Sequence, residues 1–478
     1  MPADTPFSLS RRALLAGAGT AMVAPRAALA IDPPAPAAAA KADGLPTVQM
    51  EARPSIVSFQ QGQETPIWAI GGRTPGPDVR IRKGEDLRVR LVNGLDKPLS
   101  LHWQGVRNTS ESDGVAALSA DAVAPGAAGE IRFVPPDAGT FIYRPLVPGH
   151  CGELQDRGVA GVLAVTEATP VPVDIDQIVA VDDWRLMEDG SHAPFGGVEE
   201  RAGPGRLGTV LTVNGARAPL KVAVAPGGRI RLRIVSLCNA RLMRIRFDGL
   251  KAYVVAIDSQ PTDTFEPLHS TLPFAPGTRY DVIADIPADT KGAVVAMIGP
   301  GLPLVQIVAE GEPASARRPA LPPIAPIPIN TLLPEAITLQ KAARADVVIE
   351  GGAKPGSDGK PAWKGDPAKI WTVNGGFGLL PGEKPGKPLL SVKKGTPIVL
   401  ALVNRTAYPQ AIHVHGHVFR LLHAFDDGWE PYWLDTMILL ENQTQRIAFV
   451  ADNKGRWLIG SSVLERLDTG LSTWFEVT

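Results

Sequence analysis

Three histidines alternate along a short stretch near the C-terminus of the chain. The segment PQAIHVHGHVFRLL, residues 409–422, places His413, His415 and His417 at every second position. In a strand such residues point to one face, and three imidazoles on one face can bind a transition metal. The segment GRWLIGSSVLERLDTGL, residues 455–471, should complete such a site, yet it contains neither histidine nor cysteine.

Three stretches of the chain share one spacing, and they predict the elements that position these histidines. In each stretch a turn glycine is followed nine residues later by a polar residue that should end a strand. Nine further residues lead to His102, Ile245 and His413 in the three copies. The glycines are Gly84, Gly227 and Gly395, and the polar residues are Asn93, Ser236 and Asn404. Equal spacing in three copies predicts a repeated β unit.

The sequence around the repeats predicts antiparallel β-sandwiches. The turn motifs WAIGG, LTVNG and WTVNG open the three copies, and the chain contains 49 glycines and 46 prolines. This pattern favours short strands joined by turns over the long helices of parallel α/β sheets. We therefore expect an all-β protein with tandem domains at 46–167, 168–311 and 337–478, the last two joined by a Pro-rich linker at 312–336.

The three copies differ in side-chain chemistry at two alternating positions. Copy one has His102 and Gln104 there, and copy three has His413 and His415. Copy two has Ile245 and Phe247 instead, an ordinary apolar face. We therefore expect a site shared between the first and third domains, with the second domain as a spacer.

The N-terminal residues predict export of the chain. Arg11 and Arg12 precede a mildly apolar stretch that ends in the small residues 28–30. This is typical of a Tat signal, which is read by the Tat export machinery. We expect residues 1–30 to be the signal and 31–45 a linker, with a soluble periplasmic protein as the product. The alternative is a disordered N-terminal tail.

The charge balance, the lack of long apolar runs and the small number of cysteines argue against nucleic-acid-binding, membrane-spanning and disulfide-rich proteins. The chain has 48 Lys plus Arg and 49 Asp plus Glu, a net charge of −1, which gives no reason to expect nucleic acid or an anionic membrane as a partner. No later apolar run is long enough to span a bilayer. Cys151 and Cys238 are the only cysteines, so we expect either that both are buried or that they pair with each other.

On its motifs, the chain resembles the multicopper oxidases, the laccases and their bacterial relatives. LHWQG (101–105) lies where that family has Leu-His-Trp-His-Gly, and PDAGTFIYRPL (136–146) is similar to Gly-Thr-Phe-x-Tyr-His-x-His. QAIHVHGHVF (410–419) is similar to His-Pro-x-His-Leu-His-Gly-His. The resemblance implies three cupredoxin-like Greek-key β-sandwich domains.

The resemblance also implies that most copper ligands of the family are replaced here. The blue-copper positions correspond to Gln410, Ser461, Arg466 and Leu471, which offer no thiolate and add a cation. The eight positions of the three-copper cluster correspond to His102, Gln104, Arg144, Leu146, His413, His415, Gly460 and Ser462. The mononuclear copper of that cluster would use His102 and His413, both present, whereas the coupled copper pair keeps His415 alone.

We therefore expect at most one copper ion, bound by His102, His413 and His415. The alternative is that these imidazoles are inherited and only form hydrogen bonds within a domain interface. By resemblance His417 is not a ligand, and His150 follows the Arg144 segment closely enough to turn toward the site.

These expectations lead to two functional hypotheses. The first is a member of the copper oxidoreductase family without laccase-type reduction of dioxygen. The second is a copper-free scaffold of the FtsP (SufI) type, with a cell-envelope or division protein as its partner. Arg144 and Arg466 would then either carry surface or interface charge, or fill the vacated cavities and pair with Glu465 or Asp468.

Overall fold

The computed structural model describes residues 40–42, 45–354, 356, 362–424, 426 and 428–478. The predicted export signal at 1–30 lies outside the described residues, as does most of the predicted linker at 31–45. Among the described residues, no helix combines the length and the apolar character needed to cross a bilayer.

The first stretch of the chain forms two facing groups of strands. Its strands are β1 (Ala40–Ala42), β2 (Leu45–Val57), β3 (Thr65–Ile70), β4 (Val79–Arg82), β5 (Leu87–Asn93), β6 (Leu101–Gln104), β7 (Ala128–Phe133), β8 (Gly139–Pro145) and β9 (Gly161–Thr166). One sheet has the order β1-β2-β5-β7 with β3 on β2, and the other has the order β4-β9-β8-β6. Helix α1 (Cys151–Asp156) lies between β8 and β9.

The second stretch repeats this arrangement with larger sheets. Its strands are β10 (Ile175–Trp184), β11 (Val210–Val213), β12 (Ala216–Arg217), β13 (Leu220–Val224), β14 (Gly228–Ser236), β15 (Met243–Asp248), β16 (Ala252–Ile257), β17 (Gln260–Phe265), β18 (Thr271–Phe274), β19 (Arg279–Ile286), β20 (Lys291–Ala296) and β21 (Leu302–Ala309). The sheet orders are β12-β11-β10-β14-β19-β16-β17 and β13-β21-β20-β15-β18. Helix α2 (Val198–Arg201) lies in the connection from β10 to β11.

The third stretch again forms two sheets. Its strands are β22 (Ala343–Gly351), β23 (Trp371–Val373), β24 (Ser391–Val392), β25 (Thr396–Asn404), β26 (Gln410–Val414), β27 (Arg420–Leu422), β28 (Thr436–Leu439), β29 (Thr444–Ala451), β30 (Gly455–Ser461) and β31 (Ser472–Val477). The orders are β23-β22-β25-β29-β27 and β24-β31-β30-β26-β28. Helix α3 (Leu464–Asp468) follows β30.

The predicted repeat is confirmed strand by strand. The strands β5, β14 and β25 end at Asn93, Ser236 and Asn404. The glycines that begin the repeats have φ of +87°, +74° and +89°, values that favour glycine in a turn. The predicted all-β fold class is confirmed as well, because each stretch packs two sheets into a sandwich around its own apolar core. The domain boundaries remain predictions.

The second stretch is apolar where the first and third carry imidazoles. Ile245 and Phe247 are 0% and 3% exposed and belong to the core of the second sandwich. Their side chains therefore support packing and leave the polar positions to the other two stretches.

The Pro-rich segment 312–336 is extended but packed against the sandwiches. Ile327 is buried against Val255 and Ile283 of the second stretch. The side-chain amide of Asn330 donates to Asp137 Oδ1 at 2.7 Å and to Gln260 Oε1 at 2.9 Å. The segment thus connects the first and second sandwiches on its way to the third.

Candidate metal centre

Three of the predicted histidines meet between the first and third sandwiches. His102 lies in β6, His413 lies in β26, and His415 follows the end of β26. Their ring centroids are separated by 4.0 Å (His102 to His415), 4.7 Å (His413 to His415) and 5.4 Å (His102 to His413). One ligand atom from each ring lies within 4.8 Å of the other two. All three side chains are buried.

Hydrogen bonds at the Nδ1 atoms fix the orientation of these rings. His102 Nδ1 lies 2.9 Å from the carbonyl oxygen of Asp113, and His415 Nδ1 lies 2.9 Å from Asp113 Oδ2. His413 Nδ1 lies 2.9 Å from the carbonyl oxygen of Asp435. Because these partners are acceptors, each Nδ1 carries the proton and each Nε2 keeps its lone pair.

The Nε2 atoms of His102 and His413 have no hydrogen-bond partner among the described residues, although both are buried. A buried polar atom without a partner is unfavourable by about 1–3 kcal/mol, and a ligated ion would satisfy both atoms. Metal-binding imidazoles usually donate their other ring N–H group to carboxylate and carbonyl acceptors of this kind, which fixes the orientation of the ring. The residues present therefore fit one copper ion.

Burial favours the neutral form of His413 and His415. It lowers the pKa of His415 to about 3 and also lowers the pKa of His413. Burial alone would raise the pKa values of Asp113 and Asp435, but His415 and His102 around Asp113, and Arg279 and His413 around Asp435, lower them. The site thus combines nitrogen donors with two ionised carboxylates; Asp435 is paired with Arg279, and the carboxylate of Asp113 favours a bound cation.

The prediction that three alternating histidines share one face is wrong for His417. The strand β26 ends at Val414, and Gly416 turns the chain with φ of +65°. His417 therefore packs inside the third sandwich, 5.3 Å from the ring centroid of Phe449 and 5.5 Å from that of Trp457. Its position agrees with the expectation, drawn from resemblance, that it is not a ligand.

The remaining candidate histidine and the two cysteines lie apart from the imidazole cluster. His150 precedes helix α1, is half-buried, and is not among the residues whose ligand atoms converge. Cys151 and Cys238 are both free and buried. Burial is confirmed for the pair, and the alternative of a disulfide between them is excluded.

Arg144 lies directly beside the imidazole cluster, opposite His102 in the β6–β8 pairing. Its guanidinium donates to Gln155 Oε1 at 2.8 Å, to Gln104 Oε1 at 2.9 Å and to the Ser462 carbonyl at 3.1 Å. Burial lowers its pKa to about 10, so it remains a cation at neutral pH. A fixed positive charge therefore lies where, by resemblance, a copper pair would be ligated.

Arg466 lies at a position that, by resemblance, corresponds to a blue-copper ligand, and neutral groups hold it in the same way. Its Nη1 donates to Gln410 Oε1 at 2.6 Å and to the Pro409 carbonyl at 2.7 Å, and its Nη2 donates to the Gly203 carbonyl at 3.1 Å. The guanidinium carbon lies 5.0 Å from the ring centroid of Trp371, a cation–π distance. Burial lowers the pKa of Arg466 to about 10.

The expected ion pairs of these two arginines are not formed among the described residues, and both side chains are buried rather than at the surface. Glu465 accepts a hydrogen bond from the Asn239 amide. Asp468 accepts from the backbone N–H groups of Gly149, Cys151 and Gly152 at 2.8–3.0 Å, so it caps helix α1. Amides and carbonyls hold the guanidiniums because the carboxylates are already engaged.

The other positions that, by resemblance, correspond to copper ligands are apolar or small. Leu146 is buried in an apolar cluster between the first and third sandwiches. The other buried members of that cluster are Val115, Leu118, Cys151, Leu379, Leu458, Leu464 and Leu467. Ser461 Oγ accepts from the Val463 amide at 3.1 Å, and Leu471 belongs to the third core. Apolar side chains and local turns therefore occupy the space around these positions.

Family models described as multicopper oxidase match residues 51–170, 189–297 and 364–478. The chain belongs to the multicopper oxidase family. It is 29% identical over 429 residues to the multicopper oxidase MmcO of Mycobacterium tuberculosis, covering 81% of this chain and 79% of MmcO. It is 26% identical over 446 residues to the cell division protein FtsP of Sodalis glossinidius, covering 88% and 87%.

Solved structures of multicopper oxidases share this architecture. The crystal structure of a multicopper oxidase from Pseudomonas thermotolerans matches with a TM-score of 0.78 and 30% identity, covering 90% of this chain and 99% of that one. A laccase-like member related to FtsP is therefore the description that the comparisons support.

Sequence reasoning missed the two carboxylates behind the imidazoles. Asp113 follows the turn Ser110–Ser112, and Asp435 precedes β28, both in connections between strands. A spacing signal is lacking because these residues come from loops of two different sandwiches. The sequence did contain one signal for each carboxylate. Asp113 follows the family-like segment LHWQG (101–105), and Asp435 lies within the family-like segment LDTMILL (434–440).

Proposed function

We propose that this chain is an exported, periplasmic member of the multicopper oxidase family that binds one copper ion through His102, His413 and His415. The observation that carries the proposal is the pair of buried Nε2 atoms of His102 and His413, which lack a hydrogen-bond partner among the described residues. Copper leads the divalent series in affinity for such nitrogen donors.

The same proposal excludes laccase-type reduction of dioxygen. Electron entry in a blue-copper site needs a thiolate, and the corresponding position here is Ser461. Arg466 adds a buried cation at that site, and Arg144 adds another at the position of the copper pair. A copper ion at either of these two positions would meet a buried guanidinium where a ligand is needed, which is strongly disfavoured.

The residues of the chain can hold and tune an ion without further cofactors. Asp113 orients two imidazoles by accepting at Nδ1 of His415 and lying 3.2 Å from Nδ1 of His102. Asp435 does the same for His413, with Oδ1 at 3.3 Å from Nδ1. A bound Cu(II) ion would supply one-electron redox chemistry or a store of the metal.

Copper loading of the purified protein tests the proposal. The full chain, loaded with Cu(II) and freed of excess metal, should retain one copper per chain with a non-blue EPR spectrum. His102→Ala and His413→Ala should each weaken binding at least about tenfold, because each removes one nitrogen donor. His150→Ala is the matched control, since this histidine lies outside the cluster, and it should retain full binding.

Two results would contradict the proposal. Copper bound equally well by the His102→Ala and His413→Ala variants would place the ion elsewhere. Blue absorption from a copper thiolate, or turnover of phenols with dioxygen, would overturn the reading of Ser461 and Arg466.

A second candidate function is a copper-free scaffold of the cell envelope. It is favoured by the guanidiniums of Arg144 and Arg466, which satisfy the interior without metal, and by the similarity to the cell division protein FtsP. A deletion strain complemented by the His102→Ala/His413→Ala double variant as well as by the unaltered chain would support this function. Failure of the folded double variant to complement would support the copper-dependent one.

A further inference from the structure

A second group of metal-ligating side chains lies in the second sandwich, away from the histidines. Asp182 and Asp183 are near the end of β10, and Cys238 follows the end of β14. The two strands pair in parallel up to Val181 and Ser236, so the aspartates and the cysteine come side by side just beyond this pairing. One ligand atom of each residue lies within 4.8 Å of the other two.

One carboxylate oxygen of Asp183 accepts hydrogen bonds, and the other has no hydrogen-bond partner among the described residues. Its Oδ2 accepts from the Gly208 amide at 2.6 Å and from Arg241 Nε at 2.8 Å. Its Oδ1 is buried and has no hydrogen-bond partner among the described residues. This side chain is 0% exposed, so bulk water does not satisfy the free oxygen.

The two other side chains also have lone pairs available. Asp182 accepts one hydrogen bond, from the Asp183 amide at 2.9 Å. Cys238 Sγ makes a long contact of 3.8 Å with the Val181 carbonyl. Both residues are buried, and Cys238 forms part of the apolar core of the second sandwich. The cluster therefore has an apolar wall, which limits exchange with solvent.

We infer that Asp182, Asp183 and Cys238 form a binding site for a zinc-like divalent ion, separate from the imidazole site. Zinc accepts thiolate and carboxylate ligands in tetrahedral geometry, with donor atoms roughly 3.5 Å apart, so modest side-chain rotations bring these donors into place. Ions that prefer only sulfur ligands or only oxygen ligands match this set less well, because it combines one sulfur with two carboxylates.

The charge of the cluster and the hydrogen bonds that hold Asp183 also match a divalent ion. Metal binding would remove the proton of Cys238, and the two carboxylates and the thiolate would then place three negative charges beside Arg241, a pattern that favours a doubly charged ion. The bonds from Gly208 and Arg241 to Asp183 Oδ2 fix the carboxylate and leave Oδ1 for the metal, as outer partners of metal ligands do. A bound ion would tie the end of β10 to the segment after β14.

Cobalt substitution tests the site, because a Co(II)–thiolate bond gives a near-ultraviolet charge-transfer band that carboxylates and imidazoles do not. The full chain should be produced in cobalt-supplemented medium, so that the ion enters before the site is buried by folding. We expect one cobalt per chain at this site and a thiolate band. The His102→Ala/His413→Ala double variant should keep the band, which separates this site from the imidazole site.

The two cysteines give a matched pair of variants. Cys238→Ser should reduce the band at least about tenfold by removing the sulfur ligand, whereas Cys151→Ser should leave it unchanged. If Cys238→Ser fails to fold, retention of the band by Cys151→Ser assigns it to Cys238, the only other cysteine, and Asp183→Asn should weaken it. A natively folded chain without a thiolate band, or a band that survives in Cys238→Ser, would overturn the inference.

Discussion

Glu465 should make the stability of the folded chain fall as the pH rises toward 8. This carboxyl is buried between the sandwiches, where Oε1 accepts from Asn239 and Oε2 has no partner among the described residues. Burial, with the nearby charge of Asp156, raises its pKa from 4.5 to about 8. The folded chain therefore retains a proton at neutral pH that the unfolded chain releases above about pH 4.5.

The expected magnitude follows from this shift. Each unit of pKa difference corresponds to about 1.4 kcal/mol, so the proton retained by Glu465 contributes roughly 4–5 kcal/mol below pH 4.5. This contribution is lost as the pH rises through about 8, since stability falls wherever the folded state binds more protons. Glu465→Gln keeps the acceptor for Asn239 and cannot ionise, so its stability should lack this dependence.

Denaturant unfolding of the full chain at pH 5, 6, 7, 8 and 9 measures the effect. The free energy of unfolding of Glu465→Gln minus that of the unaltered chain should increase by about 4 kcal/mol between pH 5 and pH 8 and then level off. The control is Glu199→Gln, which changes an exposed glutamate in helix α2. A difference that stays constant with pH would refute the assignment of a protonated, buried Glu465.

Three further variants probe the metal centre and its surroundings. Arg144→Leu should lower the free energy of unfolding by roughly 2–4 kcal/mol, measured by denaturant, because the buried acceptors it serves lose their donor; an unchanged midpoint would contradict this. Asp113→Asn should weaken copper binding about 10–100-fold in a metal titration, because the imidazoles lose their orienting carboxylate; unchanged affinity would show that the carbonyl contact to His102 suffices. Gly416→Ala should lower stability by about 1–3 kcal/mol, because its Cβ would collide with the ring of Trp457; thermal unfolding measures this, and a neutral result would refute the tight turn.

The parts of the fold that depend on local chemistry were predictable from the sequence. Turn glycines and the polar residues that follow them at fixed spacing located the ends of β5, β14 and β25, because both signals act over a few residues. The meeting of His102 with His413 and His415 followed from the contrast between copy two and the other copies.

The parts that depend on packing between sandwiches were not predictable. The alternation of the histidines suggested one face, but the turn at Gly416 directs His417 into the core, and that turn is set by the close approach of Trp457. The partners of Arg466 were misassigned because its neighbour in sequence, Glu465, already accepts from another sandwich. Spacing along one chain does not report such competition.

The setting of Arg466 bears on any attempt to engineer a blue-copper protein from this chain. By resemblance, a cysteine at Ser461 would share its site with Arg466, whose guanidinium three oxygens already anchor, and an ion pair between the thiolate and this guanidinium would compete with the ion. A blue-copper site would therefore require the simultaneous replacement of Gln410, Ser461 and Arg466, because no single replacement would be productive. Conversion to an electron-transfer site would therefore be concerted, with intermediates that neither bind a blue copper nor keep the present network intact.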